Sequence, residues 1–318
     1  MKMVLKTDMV LKTKKKNNLI LSIRRYWELY LIFLPVAIWF IIFKYVPMAG
    51  IILAFKKYNP VAGIFDSPWV GLDNFFRCFN SPAFLSSLRN TVIISLQRLI
   101  WGFPMPVVFA IFLNEVQQRK FKKVVQTVSY LPHFISWSVA GGIFYMLLSP
   151  TSGVVNTFLK SLGMQAINFL GDSSYFRSVV VATDIWKNMG WDAIIYLAAL
   201  AGVDCEMYEA AYIDGASRLK RIIYITLPSI SNIIVIMLIL RVGHLFNVSF
   251  EQIFILLNPM VLEVGETLGY YIYRVGLYNP NNFGFGTAVG LFESVIGLAL
   301  VITTNKLSKK INDDGGIW

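Results

Sequence analysis

Charge is what this chain most lacks. Only 15% of its 318 residues are Asp, Glu, Lys or Arg, and 56% are hydrophobic; a soluble domain carries about 25% and 45–50%. Such a chain cannot cover itself with a hydrated surface, which excludes an ordinary soluble enzyme. Histidine is limited to His133 and His244, and cysteine to Cys78 and Cys205. No cluster of metal ligands, and no nucleophile with a base, arises from so few. There is no Gly-x-x-x-x-Gly-Lys-Ser/Thr phosphate loop, and so no such device for holding ATP. No cleavable signal peptide is expected either. The first apolar run follows a basic tail, is too long for a signal h-region and lacks a small-residue cleavage site.

The apolar residues come in long runs. About 20 of them span the hydrocarbon core, where every backbone polar group must be satisfied internally. Six segments qualify: 27–45, 88–113 (interrupted by Gly102, Pro104 and Pro106), 124–148 (containing Pro132 and Gly141-Gly142), 179–201, 228–248 and 287–304. Gly141-Gly142 suits close helix packing. The expected fold class is an all-α integral membrane protein of six transmembrane helices. A basic tail at 1–25 precedes a membrane domain at 26–306, and a short tail follows at 307–318.

The net charge of +11 sits beside these runs, so topology accounts for it and no nucleic-acid partner is expected. Segments 1–25, 114–123, 202–224 and 306–318 hold 18 of the 29 Lys and Arg, whereas 44–87, 149–177 and 249–286 hold seven. Positive residues favour the cytoplasmic side. Both termini and 202–224 are therefore expected in the cytoplasm, with Cys78 and Cys205 on opposite faces, unable to pair. The basic tail contains a short duplication, Met3-Val4-Leu5-Lys6-Thr7 and Met9-Val10-Leu11-Lys12-Thr13. The outer segments are rich in aromatics (Phe65, Trp69, Phe75, Phe76, Tyr270, Tyr271, Tyr273, Tyr278). These read either as an interfacial belt or as a docking surface for an external partner.

Segment 203–224 is polar and basic, although it lies between two apolar runs. Asp204 or Cys205 suits the start of a short helix, with Glu206 and Glu209 complementing its dipole. Ala210 and Ala211 keep one face small, and Gly215 permits a reversal. Residues 216–224 regain helical period with Arg218, Lys220 and Arg221 exposed. Leu227-Pro228 then opens the next run, where proline is tolerated in the first turn.

Glu209, Ala210, Ala211, Gly215, Ile225, Leu227 and Pro228 occupy in full the Glu-Ala-Ala, Gly, Ile-x-Leu-Pro signature of ABC importer permeases. The chain is identified as a member of that family. Phe43-Lys44-Tyr45-Val46-Pro47-Met48, Ser129-Tyr130-Leu131-Pro132-His133-Phe134, residues 196–202 (YLAALAG) and Phe250-Glu251-Gln252-Ile253-Phe254 resemble its LplB-type carbohydrate-uptake group, which is similar to the maltose transporter permeases. The resemblance implies a type I ABC importer permease fold in a bacterial cell membrane, carrying no cofactor of its own. Glu209, Ala210, Ala211, Asp214, Gly215, Ile225, Leu227 and Pro228 would form a coupling helix that docks into a cleft on the ATPase. The implied partners are a second permease chain, two copies of a cytoplasmic ATPase holding ATP and Mg, an extracellular sugar-binding lipoprotein and an oligosaccharide, uronate-containing or host-derived glycans included.

Charged groups within spans are costly and usually face a cavity or partner. Arg98, Lys187, Arg241 and His244 are such groups. Tyr145, Asn188, Trp191, Arg241, Asn247, Glu251 and Gln252 are the candidate lining of a sugar path, offering rings for stacking and polar groups for hydroxyls; each is equally readable as a packing contact. An ion-coupled carrier would need an acidic relay. Glu28, Asp184, Asp192, Glu251 and Glu293 lie in or near span ends and form no evident buried chain. A membrane-bound enzyme or scaffold has no supporting cluster.

Overall fold

A computed structural model describes residues 25–246, 248–278 and 282–311. The tail duplication and Asn247 fall outside them. The chain divides into two compact units, Met1–Ile52 and Leu53–Trp318. In the first, α1 (Trp27–Phe40) begins a helical stretch that continues to Phe55 and buries none of its apolar window.

The second unit is helical, and among its described residues extended pairing is limited to two isolated bridges. Its elements are α2 (Asp73–Phe79), α3 (Pro82–Asn114), α4 (Arg119–Phe134), α5 (Trp137–Leu148), α6 (Val154–Ser161), α7 (Ser173–Ala201), α8 (Cys205–Ile213), α9 (Arg218–Ser229), α10 (Ser231–Gly243), α11 (Phe250–Leu256), α12 (Leu268–Tyr271) and α13 (Phe283–Ile311). Side chains cap several starts: Ser81 accepts from Phe84 N, Ser136 from Val139 N and Asp172 from Ser174 N. Each takes up a backbone N–H that has no partner within its own helix.

Among the described residues three helical stretches are long and apolar enough to cross a membrane (Trp27–Phe55, Pro82–Asn114 and Phe283–Lys309), or up to five if each of two bent pairs counts as one span. Three expectations need correction. Gly102, Pro104 and Pro106 do not interrupt α3, because a wider π-turn at Arg98–Gly102 absorbs the prolines' missing donors. The run 124–148 is not one helix, since α4 and α5 meet at 106°. The run 228–248 breaks at Ile230 (φ −103°, ψ 7°), where α9 and α10 meet at 63°.

Three apolar clusters hold the unit together. Ile94, Phe176, Val180, Ile253 and Leu256 join α3, α7 and α11. Val107, Ile111, Ala193, Tyr196 and Ile230 join α3, α7 and the α9–α10 break. Cys78, Phe84, Leu268, Tyr271, Phe285 and Val289 join α2, α3, α12 and α13. Tyr271 is therefore core rather than belt or docking surface, and burial pushes the Cys78 thiol up to about 11. Lipid tails are as apolar as leucine, so within a bilayer close approach and polar contacts decide packing. Gly190 on α7 lies so near α4 that a Cβ there would collide with Ser129 O. A Cβ on Gly141 would meet Ile255, whereas one on Gly142 would meet nothing, so only the first of that pair serves close packing.

Candidate functional site

Two places in the second unit carry polar chemistry. The first is the elbow, α8 and α9. Asp204 caps α8, accepting from Glu206 N at 2.9 Å. α8 ends in a reversal at Gly215, whose φ of +73° is open to glycine and strained for other residues. Ser217 caps the second leg through Lys220 N. α8 buries no residue, and Tyr212 and Ile213 are 71% and 84% exposed. Glu209 is exposed and makes no hydrogen bond or ion pair among the described residues.

The elbow is nevertheless tied to the bundle. Tyr208 Oη and Thr226 Oγ1 share a hydrogen bond of 3.0 Å, and Thr226 is buried. The Arg221 guanidinium lies over the Tyr212 ring at 5.7 Å. Ile222 and Leu227 pack on the second apolar cluster.

The second place is the break between α4 and α5. Lys187 of α7 donates to Pro132 O at 3.1 Å, His133 O at 2.9 Å and Ile135 O. Pro132 O also accepts from Ile135 N at 3.2 Å. The last carbonyls of a helix lack partners of its own, so a cation is the natural cap. Lys187 is 7% exposed and fixes the bend rather than offering a free charge. The bend presents His133 to Trp191, with rings stacked at 4.5 Å, and Phe134 meets Trp191 edge-on. A recess of about 800 Å³ opens here, lined among others by Trp137, Asn188, Ser249 and Glu251.

Its wall includes a polar hub that the sequence did not reveal. Asp184 is 2% exposed and grips Arg98 of α3, whose Nε donates at 2.9 Å and whose Nη2 makes a second contact. Asn188 Nδ2 donates to the same carboxylate at 2.9 Å, and its Oδ1 lies 3.2 Å from His133 Nδ1. Arg241 of α10 stands 3.6 Å from Asp184 and 3.7 Å from Asp192. Asp184 was read as a group near a span end; it is a buried counter-ion joining three helices. Its partner lies 86 residues away, beyond any local pattern.

The candidate path residues separate accordingly. Asn188 and Glu251 line the recess at the bend, with Trp191 stacked beside it. Arg241 lines a neighbouring one with His244. Tyr145 lies in a different depression, beside Asn168 and Asn258, its hydroxyl donating to Ile255 O and Leu256 O. Gln252 is a correction: fully buried, it donates to Val180 O at 2.7 Å and Thr183 Oγ1 at 2.8 Å, holding α11 to α7. No group of three or more metal-ligating side chains occurs among the described residues.

Comparison with known proteins agrees with this architecture. The model of the family described as "Binding-protein-dependent transport system inner membrane component" matches residues 102–313. Over 306 residues the chain is 42% identical to the polygalacturonan/rhamnogalacturonan transport system permease protein YteP of Bacillus subtilis (strain 168), covering 96% of this chain and 95% of that protein. It is 40% identical to protein LplB of the same organism, covering 96% of each. A solved bacterial ABC transporter involved in the import of the acidic polysaccharide alginate contains a chain similar to it at a TM-score of 0.85 and 40% identity, covering 93% of this chain and 99% of that one. The same fold recurs, at a TM-score of 0.84 and 39% identity, in an alginate ABC transporter in complex with an alginate pentasaccharide-bound periplasmic protein; there the coverage is 92% of this chain and 98% of that one. With an all-helical fold, an exposed elbow tied to the bundle and this kinship, the chain belongs to the inner-membrane components of binding-protein-dependent transport systems, as a non-catalytic permease subunit of an ABC importer.

Proposed function

We propose that this permease forms one half of the path for an acidic oligosaccharide and that α8 is its coupling helix. Six spans cross the bilayer, with both termini cytoplasmic. α1, α3 and α13 are three, the bent pairs α4–α5 and α9–α10 two more, and α7 is the sixth. α7 fails a simple apolar test because of its charges, but Asp184 and Lys187 are buried against other helices, as intramembrane charges usually are. A second permease chain completes the path, two ATPase copies dock below and a solute-binding lipoprotein delivers cargo from outside. The cargo class rests on relatives named for polygalacturonan/rhamnogalacturonan and alginate.

One observation carries the reading. α8 places Glu209, Tyr212 and Ile213 in the open, while Tyr208, Ile222 and Leu227 anchor the same elbow to the bundle. An exposed apolar tip on a fixed base suits a lever that an ATPase cleft covers. ATP binding then biases a two-state permease pair. Glu209→Lys reverses the tip's charge, and Gly215→Pro demands φ near −65° where the chain has +73°. Both variants are expected to reach the membrane and to lose cargo uptake, while the partner ATPase still hydrolyses ATP. Normal uptake by both would sink the coupling assignment.

A further inference from the structure

His244 lies where three recesses meet. One of about 220 Å³ reaches Asp192, one of about 450 Å³ reaches Glu293, and one of about 100 Å³ holds Ser95, Arg98 and Arg241. In the smallest, donors outnumber the groups that use them. Arg241 makes no hydrogen bond among the described residues; its nearest carboxylate oxygens, on Asp184 and Asp192, are 3.6 and 3.7 Å away, beyond hydrogen-bond length. Asp184 does not depend on it, because Arg98 grips that carboxylate with two nitrogens and Asn188 adds a third donor. The Asp192 side chain is 34% exposed and can be hydrated. Beside Arg241 the Ser95 hydroxyl is buried, at 2% exposure, with no partner among the described residues. A buried hydroxyl left unpaired costs free energy until a ligand or water meets it.

We propose that Ser95, Arg98, Arg241 and His244 form a subsite for the carboxylate of a uronic acid unit in the cargo. A guanidinium fork matches two carboxylate oxygens side by side. Arg98 keeps Nη1 unused, and the Ser95 hydroxyl supplies a further donor from the same wall. A recess of about 100 Å³ suits a carboxylate and the carbon that bears it, not a whole pyranose ring. The nearby acids are Asp184, which Arg98 neutralises, Asp192, which is 34% exposed and 3.7 Å from Arg241, and Glu293, in the adjoining recess. Arg241 is thus held only loosely, by two carboxylates beyond hydrogen-bond length, and keeps its N–H donors for cargo. This rests on the reading of the cargo as an acidic oligosaccharide.

The test uses the purified whole transporter without its binding protein. Calorimetric titration compares a galacturonate pentasaccharide with its carboxyl-reduced, neutral counterpart. The wild type is expected to bind the acidic form at least tenfold more tightly. Arg241→Gln should abolish that preference and Ser95→Ala reduce it several-fold, with thermal unfolding of each variant recorded beside the wild type. If Arg241→Gln fails to fold, Ser95→Ala decides the outcome. Equal affinity for both sugars in the wild type, no saturable binding, or a preference that survives in both variants overturns the subsite. Uptake into proteoliposomes with the binding protein separates the two claims. A wild type that takes up no oligosaccharide refutes the cargo reading. Acidic uptake that is unchanged in Arg241→Gln refutes the subsite alone.

Discussion

Replacing Lys187 with Met tests whether the bend between α4 and α5 is held from α7. The substitution preserves most of the stem and removes the ammonium from the carbonyls of Pro132, His133 and Ile135, of which Pro132 O keeps the Ile135 N–H. Hydrogen bonds to a charged group are each worth about 1.5–3 kcal/mol, and a buried acceptor left unmet costs about 1–3 kcal/mol. Three such losses do not add fully. Removing the ammonium also ends the cost of burying it, and water from the adjoining recess can reach part of the break. About 2–4 kcal/mol is the expected net destabilisation, from the same bond and desolvation terms. The assay is thermal unfolding of the purified transporter, with amide hydrogen exchange followed at residues 133–136. Lys187→Met should unfold earlier and speed exchange at the bend, while Lys187→Arg, which keeps the charge with a bulkier head, should fall between. A Met variant as stable as the wild type, with unchanged exchange at the bend, would refute the reasoning.

Other outcomes follow from the same contacts. Arg98→Met strands the buried Asp184 carboxylate and should cost about 3–5 kcal/mol, whereas Arg98→Met with Asp184→Asn should recover much of that; a double variant as unstable as the single contradicts the pairing. Gly190→Ala drives a Cβ into the Ser129 backbone and should cost about 1–3 kcal/mol by overpacking. Gly142→Ala meets open space and should be neutral or stabilising by about 0.5–1 kcal/mol; thermal unfolding of the two variants compares them directly.

The elbow was legible because its signals are local. Asp204 and Gly215 each impose a conformation on their own neighbourhood, and the structure places a cap and a left-handed turn there, whereas Leu227-Pro228 ends α9 just before the break at Ile230 and does not open α10. The bend at 135–136 was not legible as a break. Pro132 is tolerated inside α4, Phe134-Ile135 reads as more apolar span, and the Ser136 cap signal is faint in such company. What holds the break is Lys187, more than 50 residues away. Gln252 misled for a related reason: an amide in an apolar segment reads as path lining until the Val180 carbonyl appears beside it. Asp184 and Arg98 were visible singly, and only the packing of α3 on α7 makes them a pair.

The central claim is that the elbow delivers the ATPase's motion to the spans. A photoreactive phenylalanine derivative in place of Ile213, which is 84% exposed at the tip of α8, tests it most directly. Irradiating the intact transporter in membranes should join this chain covalently to the ATPase subunit. Adducts with lipid or the external binding protein alone, and none with the ATPase, would contradict the account.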